Sequence, residues 1–480
     1  MNFRYAALAV MLVLLVGDCQ SSAAERPNVL LICVDDLKPT LGCYGDSNAI
    51  TPHIDALAAS GLRLDSAYCN QAVCSPSRNS LMTGLRPQTI GVYDLGTHFR
   101  LAAPDVVTVS ENFKRHGYHA AGLGKIYHTG HGNKDDARSW SEPSWRSKAR
   151  QYLDPKNVAA IKPDNKGKRR GPATESAVVD DAAYGDGQTA NEAIARLDAF
   201  KKQPDQPFFL AVGFVKPHLP FVAPKRYWDL YDPSKLPMPK VTKAPEGAPD
   251  YAKTSGGELR NYSDIDNGKI DRATTRHLIH GYYAATSYID AQIGRVLEEL
   301  DRLQLSDNTV VVLWGDHGWH LGDHGMWCKH TNYEQAARIP LLIRAPGGVA
   351  NQSSAAMVET VDLYPTLCQL AGLPFPMEVD GQSFADVVLG KSDQARPYVT
   401  HVYPRGGRLG RAIRDPRYRM VQWKLQGQPN DTADIELYDY QTDPLETKNL
   451  ASSEPEVVAA MLALLDTHPK PKRQWKPKQN

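Results

Sequence analysis

The chain has 480 residues, room for roughly two or three domain-sized units, and its 42% hydrophobic content excludes global disorder. Fifty-five Lys and Arg against 54 Asp and Glu leave a formal charge of +1, so no global field draws the protein to nucleic acid or an anionic membrane. Seven cysteines without a Cys-x-x-Cys pair argue against a disulfide scaffold and against a structural zinc module.

Residues 1–24 read as a signal peptide: Arg4 gives a positive start, residues 6–16 form an apolar run, and Ser22-Ala23-Ala24 resembles a small-residue cleavage site. The run is too short for a stable membrane span. A lipid anchor at Cys19 is the rival reading, but Asp18 occupies a position where such a signal wants a small residue. The expectation is therefore export, to the periplasm or the extracellular space, with cleavage near Ala24. The six cysteines beyond the leader have spacings that dictate no pairing, and Cys33, inside an apolar run, reads as an ordinary buried thiol.

Continuous apolar runs at residues 29–34, 208–214, 310–314 and 341–343 predict strands buried on both faces, as in a covered, mostly parallel α/β sheet. Residues 131–185 are polar and carry the basic cluster Lys166-Gly167-Lys168-Arg169-Arg170, which reads as a solvated loop in preference to an anion-steering lid. Ile279, Tyr282, Ile289, Ile293, Val296, Leu300 and Leu303 make one helical stripe, read as core packing with no functional role. From about Arg396 the texture changes to short alternating segments at 417–423 and 436–440 and a helix at 455–465. The expected organisation is a large α/β domain over residues 25–390 and a small α+β subdomain over 391–480, with an antiparallel sheet and a helix.

Chemistry is written first at Asp35-Asp36, which follow the apolar run at 29–34. In open α/β sheets ligands gather at the carboxyl ends of strands, where acidic residues can hold a hard cation. Alone, such a pair more often marks a turn or a helix cap. The pattern returns at Asp316-His317, after the run at 310–314. Side by side, the two strand ends would give three carboxylates and one imidazole to one divalent ion. That donor set suits Ca²⁺ or Mg²⁺ and argues against Zn²⁺. His320 and His324 read as flanking residues.

A third signal is Cys74-Ser75-Pro76-Ser77-Arg78. By itself it could equally be a structural cysteine before a proline-started helix. Yet Asp35-Asp36 precede it, and Gly124-Lys125-Ile126-Tyr127-His128, Lys216-Pro217-His218, Asp316-His317-Gly318 and Lys329 follow in order. Together these motifs resemble the sulfatase family, most of all its iduronate 2-sulfatase-like branch. Glu436-Leu437-Tyr438-Asp439, Asp443-Pro444 and Asn449-Leu450 resemble that family's C-terminal subdomain, so the likeness runs through nearly the whole chain beyond the leader.

The resemblance implies an alkaline phosphatase-like large domain, a bound divalent metal with Ca²⁺ preferred over Mg²⁺, and conversion of Cys74 to formylglycine by a formylglycine-generating enzyme. Hydrated, that aldehyde would attack sulfur with one hydroxyl and release sulfate through the other. By the same likeness Asp35, Asp36, Asp316 and His317 would join residue 74 around the metal, and Arg78 would orient the nucleophile and the carboxylates. Lys125 and Lys329 would contact sulfate oxygens, His218 would protonate the leaving alcohol, and His128 would take the proton on collapse. Without the likeness, His128 could equally be a surface histidine and His218 a cap on a rigid turn, while Lys125 and Lys329 read as solvated lysines. Arg405, in Tyr403-Pro404-Arg405, would either meet a substrate carboxylate or pin the two subdomains together.

The expected activity is hydrolysis of a sulfate ester on a sulfated saccharide, a 2-O-sulfated uronic acid being the substrate the branch suggests. The rival readings are a phosphate or phosphonate ester hydrolase of the same superfamily and, if Cys74 is not converted, a non-catalytic sulfated-glycan binding protein.

Overall fold

A computed structural model describes residues 26–163, 169–375 and 377–477. The expected leader and most of the basic cluster at 166–170 lie outside the described residues. Among the described residues no helix is long and apolar enough to cross a membrane.

The core is a seven-stranded sheet built from β1 (Asn28–Val34), β2 (Leu62–Tyr68), β3 (His119–Gly124), β4 (Phe208–Phe214), β5 (Thr309–Gly315), β6 (Leu341–Arg344) and β7 (Gln352–Glu359), in the order β7-β2-β6-β5-β1-β4-β3. Only β6 runs against its neighbours. The continuous apolar runs have a simple cause. In β1, Val29, Leu31 and Cys33 face one hydrophobic core and Leu30, Ile32 and Val34 face another, so neither face tolerates polar residues.

Register then brings the strand ends together. Val34 pairs with Phe214 of β4 and Gly315 of β5, so all three strands finish at the same level. The Asp35 N–H donates to Phe214 O (3.2 Å), the Asp316 N–H to Val34 O (3.1 Å) and the Lys125 N–H to Gly213 O (2.8 Å). Gly124 has φ +67°, and a Cβ there would lie 2.0 Å from Gly213 O; only glycine lets the chain turn Lys125 onto this edge.

One helix, α1 (Cys74–Thr83), presents its first turn to that edge. A long helix, α2 (Arg272–Arg302), covers the sheet; it starts several residues before the apolar stripe because its first turn is held by Asp271, whose side chain caps Thr274 N–H. Its aromatic residues are more than packing. The Tyr282 hydroxyl donates to Asp36 O (2.8 Å) and accepts from Lys38 N–H (2.9 Å), so it fixes the backbone after β1. Residues 131–185 likewise exceed the expected solvated loop. Trp140, Tyr152 and Tyr184 are buried anchors, too widely spaced in polar sequence to produce a period.

The C-terminal sheet is an antiparallel meander of β8 (Val399–Arg405), β9 (Arg408–Arg414), β10 (Tyr418–Leu425) and β11 (Asp434–Asp439). One face packs Ile413, Met420 and Leu437 against Met461 and Leu465 of α3 (Pro455–Asp466). The opposite face turns Tyr403, Val421, Trp423 and Tyr438 toward Val73, Met326 and Tyr333 of the large sheet's domain. The six described cysteines are all free thiols.

Glu359, at the end of β7, locks the two parts together. Its buried carboxylate accepts from Asn70 Nδ2 (2.7 Å), Arg86 Nε (2.8 Å), Arg396 Nη1 (3.0 Å) and the Thr400 N–H (2.7 Å). Glu359→Ala would strip the buried Arg86 guanidinium of its carboxylate and leave Arg396 to Asp362, and should cost about 3–5 kcal/mol. A urea unfolding midpoint unchanged from wild type would contradict that role.

Candidate active site

Asp35, Asp36, Asp316 and His317 leave adjacent strand ends and are fully buried. Asp36 has φ 59°, a left-handed conformation that Asp tolerates better than most residues, and its N–H donates to Asp316 Oδ1 (2.9 Å). The imidazole of His317 donates its Nδ1–H to Gly318 O (3.0 Å). Its Nε2 is turned toward Asp36 Oδ1 (3.4 Å) and Asp316 Oδ1 (3.6 Å), where it could join them around a cation. Cys74, first residue of α1, places Sγ 3.4 Å from His317 Nε2. Ligand atoms of Asp35, Asp36, Cys74 and His218 lie within 4.8 Å of one another, as do those of Cys74, Asp316 and His317. Oxygen-rich donors with one imidazole fit a hard divalent cation.

Three cations compensate the carboxylates. Arg78, fully buried, donates Nη2–H to Asp35 Oδ1 and Nε–H to Asp316 Oδ2, both at 2.9 Å, and Nη1–H to the carbonyls of Lys125 and Ile126. Lys125 Nζ donates to Asp35 and stands 3.9 Å from Cys74 Sγ. Lys329 Nζ donates to Asp36 Oδ1 (3.0 Å) and lies 4.9 Å from the Trp319 ring centroid. Burial would raise the Asp35 carboxyl, but Lys125 and Arg78 hold it well below the usual range. Burial, then Asp35, push the Cys74 thiol well above its ordinary value.

Lys329 sits between two non-glycine residues with left-handed backbone, Cys328 (φ 72°) and His330 (φ 49°). Such strain persists where surrounding contacts impose it. Here the inward residues of β8 follow the segment: Arg405 donates to His330 O, and the His401 ring Nδ1 lies 3.1 Å from Asn332 Oδ1. Arg405 is thus engaged with the chain beside Lys329, which supports the pinning reading over direct contact with substrate.

His218 directs Nε2 toward Glu258 Oε1 (3.0 Å) and lies 3.9 Å from Asp36 Oδ2 and 4.0 Å from Asp35 Oδ2. His128 stands at the rim, its Nε2 3.1 Å from His131 Nδ1. Burial and then the Lys125 ammonium push it down to about 3, leaving a neutral ring. His320 and His324 stay out of the cluster, bound to Thr331 Oγ1 and Leu445 O.

Sequence reasoning missed Glu258, whose Oε2 also meets Lys329 Nζ at 3.1 Å. Burial opposes its charge, yet Lys329 and His218 hold it well below the usual carboxylate range. Its neighbourhood, Gly256-Gly257-Glu258, has neither an apolar strand before it nor a period, so nothing local advertises it.

Residues 27–373 match the family model described as Sulfatase, and residues 322–468 match that of the N-sulphoglucosamine sulphohydrolase C-terminal region. The iduronate 2-sulfatase of Mus musculus is 35% identical over 399 residues, covering 76% of this chain and 72% of that protein. A structure of BT1596, a 2-O GAG sulfatase, superposes with a TM-score of 0.67 at 25% identity over 92% of both chains. The phosphonate monoester hydrolase SpPMH from Silicibacter pomeroyi shares the fold (TM-score 0.73, 22% identity, 94% of this chain and 100% of that one). A cysteine-led helix set against strand-end carboxylates thus coincides with homology along most of the sequence: the chain belongs to the sulfatase family, close to its iduronate 2-sulfatase-like branch, and is a sulfuric ester hydrolase.

Proposed function

We propose that the protein is an exported hydrolase that removes sulfate from a sulfated saccharide, with a 2-O-sulfated uronic acid as the substrate to test first. The saccharide reading is supported by the iduronate 2-sulfatase relative and by structural similarity to BT4656 in complex with its substrate D-glucosamine-2-N,6-O-disulfate (TM-score 0.74, 21% identity, 92% of this chain and 97% of that one). The observation that carries the reading is the meeting of Cys74 with buried carboxylates and three cations in one small space.

Asp35, Asp36, Asp316 and His317 would hold a divalent metal, Ca²⁺ for preference, which when bound polarises the nucleophile and the sulfate oxygens. Residue 74, oxidised to formylglycine by a formylglycine-generating enzyme, would supply the nucleophile. Arg78 keeps Asp35 and Asp316 in place with its rigid fork and closes the floor of the site through the carbonyls of Lys125 and Ile126. Lys125, beside Cys74, lies where it can meet a sulfuryl oxygen; its charge acts in a water-poor environment and needs no reorganisation during reaction. On the other side, Lys329 and His218 serve the leaving alcohol, His218 with an Nε2–H. His128, at the rim, would take the proton when the sulfate departs.

The test joins peptide mass spectrometry across residues 70–78 with parallel assays on 4-nitrophenyl sulfate, 4-nitrophenyl phosphate and a 2-O-sulfated uronic acid disaccharide. The expected results are an aldehyde at position 74, loss of turnover on chelation with recovery on adding Ca²⁺, and preference for sulfate esters. An unconverted thiol, or preference for the phosphate ester, overturns the reading.

A further inference from the structure

Glu258 reaches the centre from the segment between Trp228 and α2, and unlike Asp35, Asp36 and Asp316 it is not delivered by a strand end. Its two oxygens are divided between two partners: Oε1 is 3.0 Å from His218 Nε2 and Oε2 is 3.1 Å from Lys329 Nζ. The other nitrogen of His218, Nδ1, is 2.5 Å from Leu219 O. Each ring nitrogen of His218 therefore faces an oxygen acceptor, and the ring is held at both ends. The side chains of Glu258 and His218 are each 18% exposed, against 0% for Asp35 and Asp36. Glu258 and His218 are thus less enclosed than the strand-end carboxylates.

We infer that Glu258 is a positioning residue for departure of the alcohol, a single carboxylate that sets His218 Nε2 and Lys329 Nζ at a fixed separation around the bridging oxygen. The inference rests on the sulfatase reading above and deepens it. When the bond from sulfur to that oxygen breaks, its electron pair stays on oxygen and the sulfuryl group passes to residue 74. The oxygen takes the proton from His218 Nε2, and Lys329 steadies the charge that develops before transfer is complete. Glu258 gives and receives no proton in this step. Without it, His218 is tethered only through Nδ1, free to swing about that contact. Lys329 would be left with Asp36 as its carboxylate partner and the Trp319 ring, drawn away from the leaving oxygen.

A role confined to departure depends on how much help the leaving group needs. The test compares kcat of the metal-loaded, converted wild type with Glu258→Gln and Glu258→Ala on 4-nitrophenyl sulfate, whose phenolate leaves unaided, and on unsubstituted phenyl sulfate, which is close in shape but a poorer leaving group. Circular dichroism confirms that each variant is folded; Gln keeps the side-chain shape if Ala does not fold. A lost positioning contact should lower kcat on phenyl sulfate by roughly 10²-fold and on 4-nitrophenyl sulfate by less than about 5-fold, with KM little changed. Equal losses on both esters, or none on either, in the presence of an active wild type, defeat the role of Glu258 alone. A wild type that turns over neither aryl ester nor the 2-O-sulfated uronic acid disaccharide defeats the functional reading and the leaving-group assignment together.

Discussion

Replacing Cys74 with Ala is expected to abolish turnover, by about 10⁴-fold or more, while leaving the fold in place. Cys74 is 2% exposed at the start of α1, and its Sγ is a small group whose contacts are His317 Nε2 and the Lys125 ammonium. Removing one small group at position 74, thiol or aldehyde, costs little packing, so circular dichroism and the thermal midpoint should stay close to wild type. The more discriminating variant is Cys74→Ser. Its hydroxyl can accept a sulfuryl group, but it has no second hydroxyl through which to expel it. Intact-mass analysis should find at most one sulfuryl group per chain and no sustained release. Continued multiple turnover by either variant would contradict the assignment of residue 74 as the nucleophile.

The second large effect is expected at Arg78. Its guanidinium is fully buried, spans Asp35 and Asp316 at 2.9 Å each, and donates to the carbonyls of Lys125 and Ile126. A lysine ammonium carries the same charge on a point and cannot satisfy these four acceptors from one position. Arg78→Lys should lower kcat/KM on the sulfate ester by roughly 10²- to 10³-fold, the scale of a lost electrostatic stabiliser. Arg78→Met removes the charge and leaves Asp35 and Asp316 facing one another in a buried space. In metal-free protein it should cost about 3–5 kcal/mol, read as a fall in the urea midpoint. Wild-type kcat/KM in Arg78→Lys would show that charge alone suffices and that the fork has no role.

Among the elements, β1, β4, β5 and β6 were legible as apolar runs because burial on both faces suppresses polar residues along the whole strand. β8 and β9 were not. They alternate between the α3 face and the domain contact, and the latter carries residues as polar as His401, Arg405, Arg408 and Arg414, so no simple apolar pattern survives. The stripe of α2 marked its buried length only, since its first turn rests on the Asp271 cap.

The same division holds for the site. Asp35, Asp36, Asp316 and His317 could be picked out because each pair follows a legible strand. Cys74, Arg78, Lys125, His128, His218 and Lys329 could be picked out because short motifs carry them in a fixed order. Sequence by itself therefore determined the family, the class of fold and the chemical types on offer. Tertiary structure decided which of them meet: the common level at which β1, β4 and β5 end brings Asp35, Asp316 and Lys125 to one edge, and the β8 contacts hold the strained turn at Lys329. It also supplied Tyr282 and Glu258, and it turned Arg405 toward the main chain of His330. The physical reason is the range of the interactions involved. Periodicity and motifs record what a residue's neighbours along the chain require, whereas a carboxylate bridging His218 and Lys329 from a third segment is specified only by distance in space.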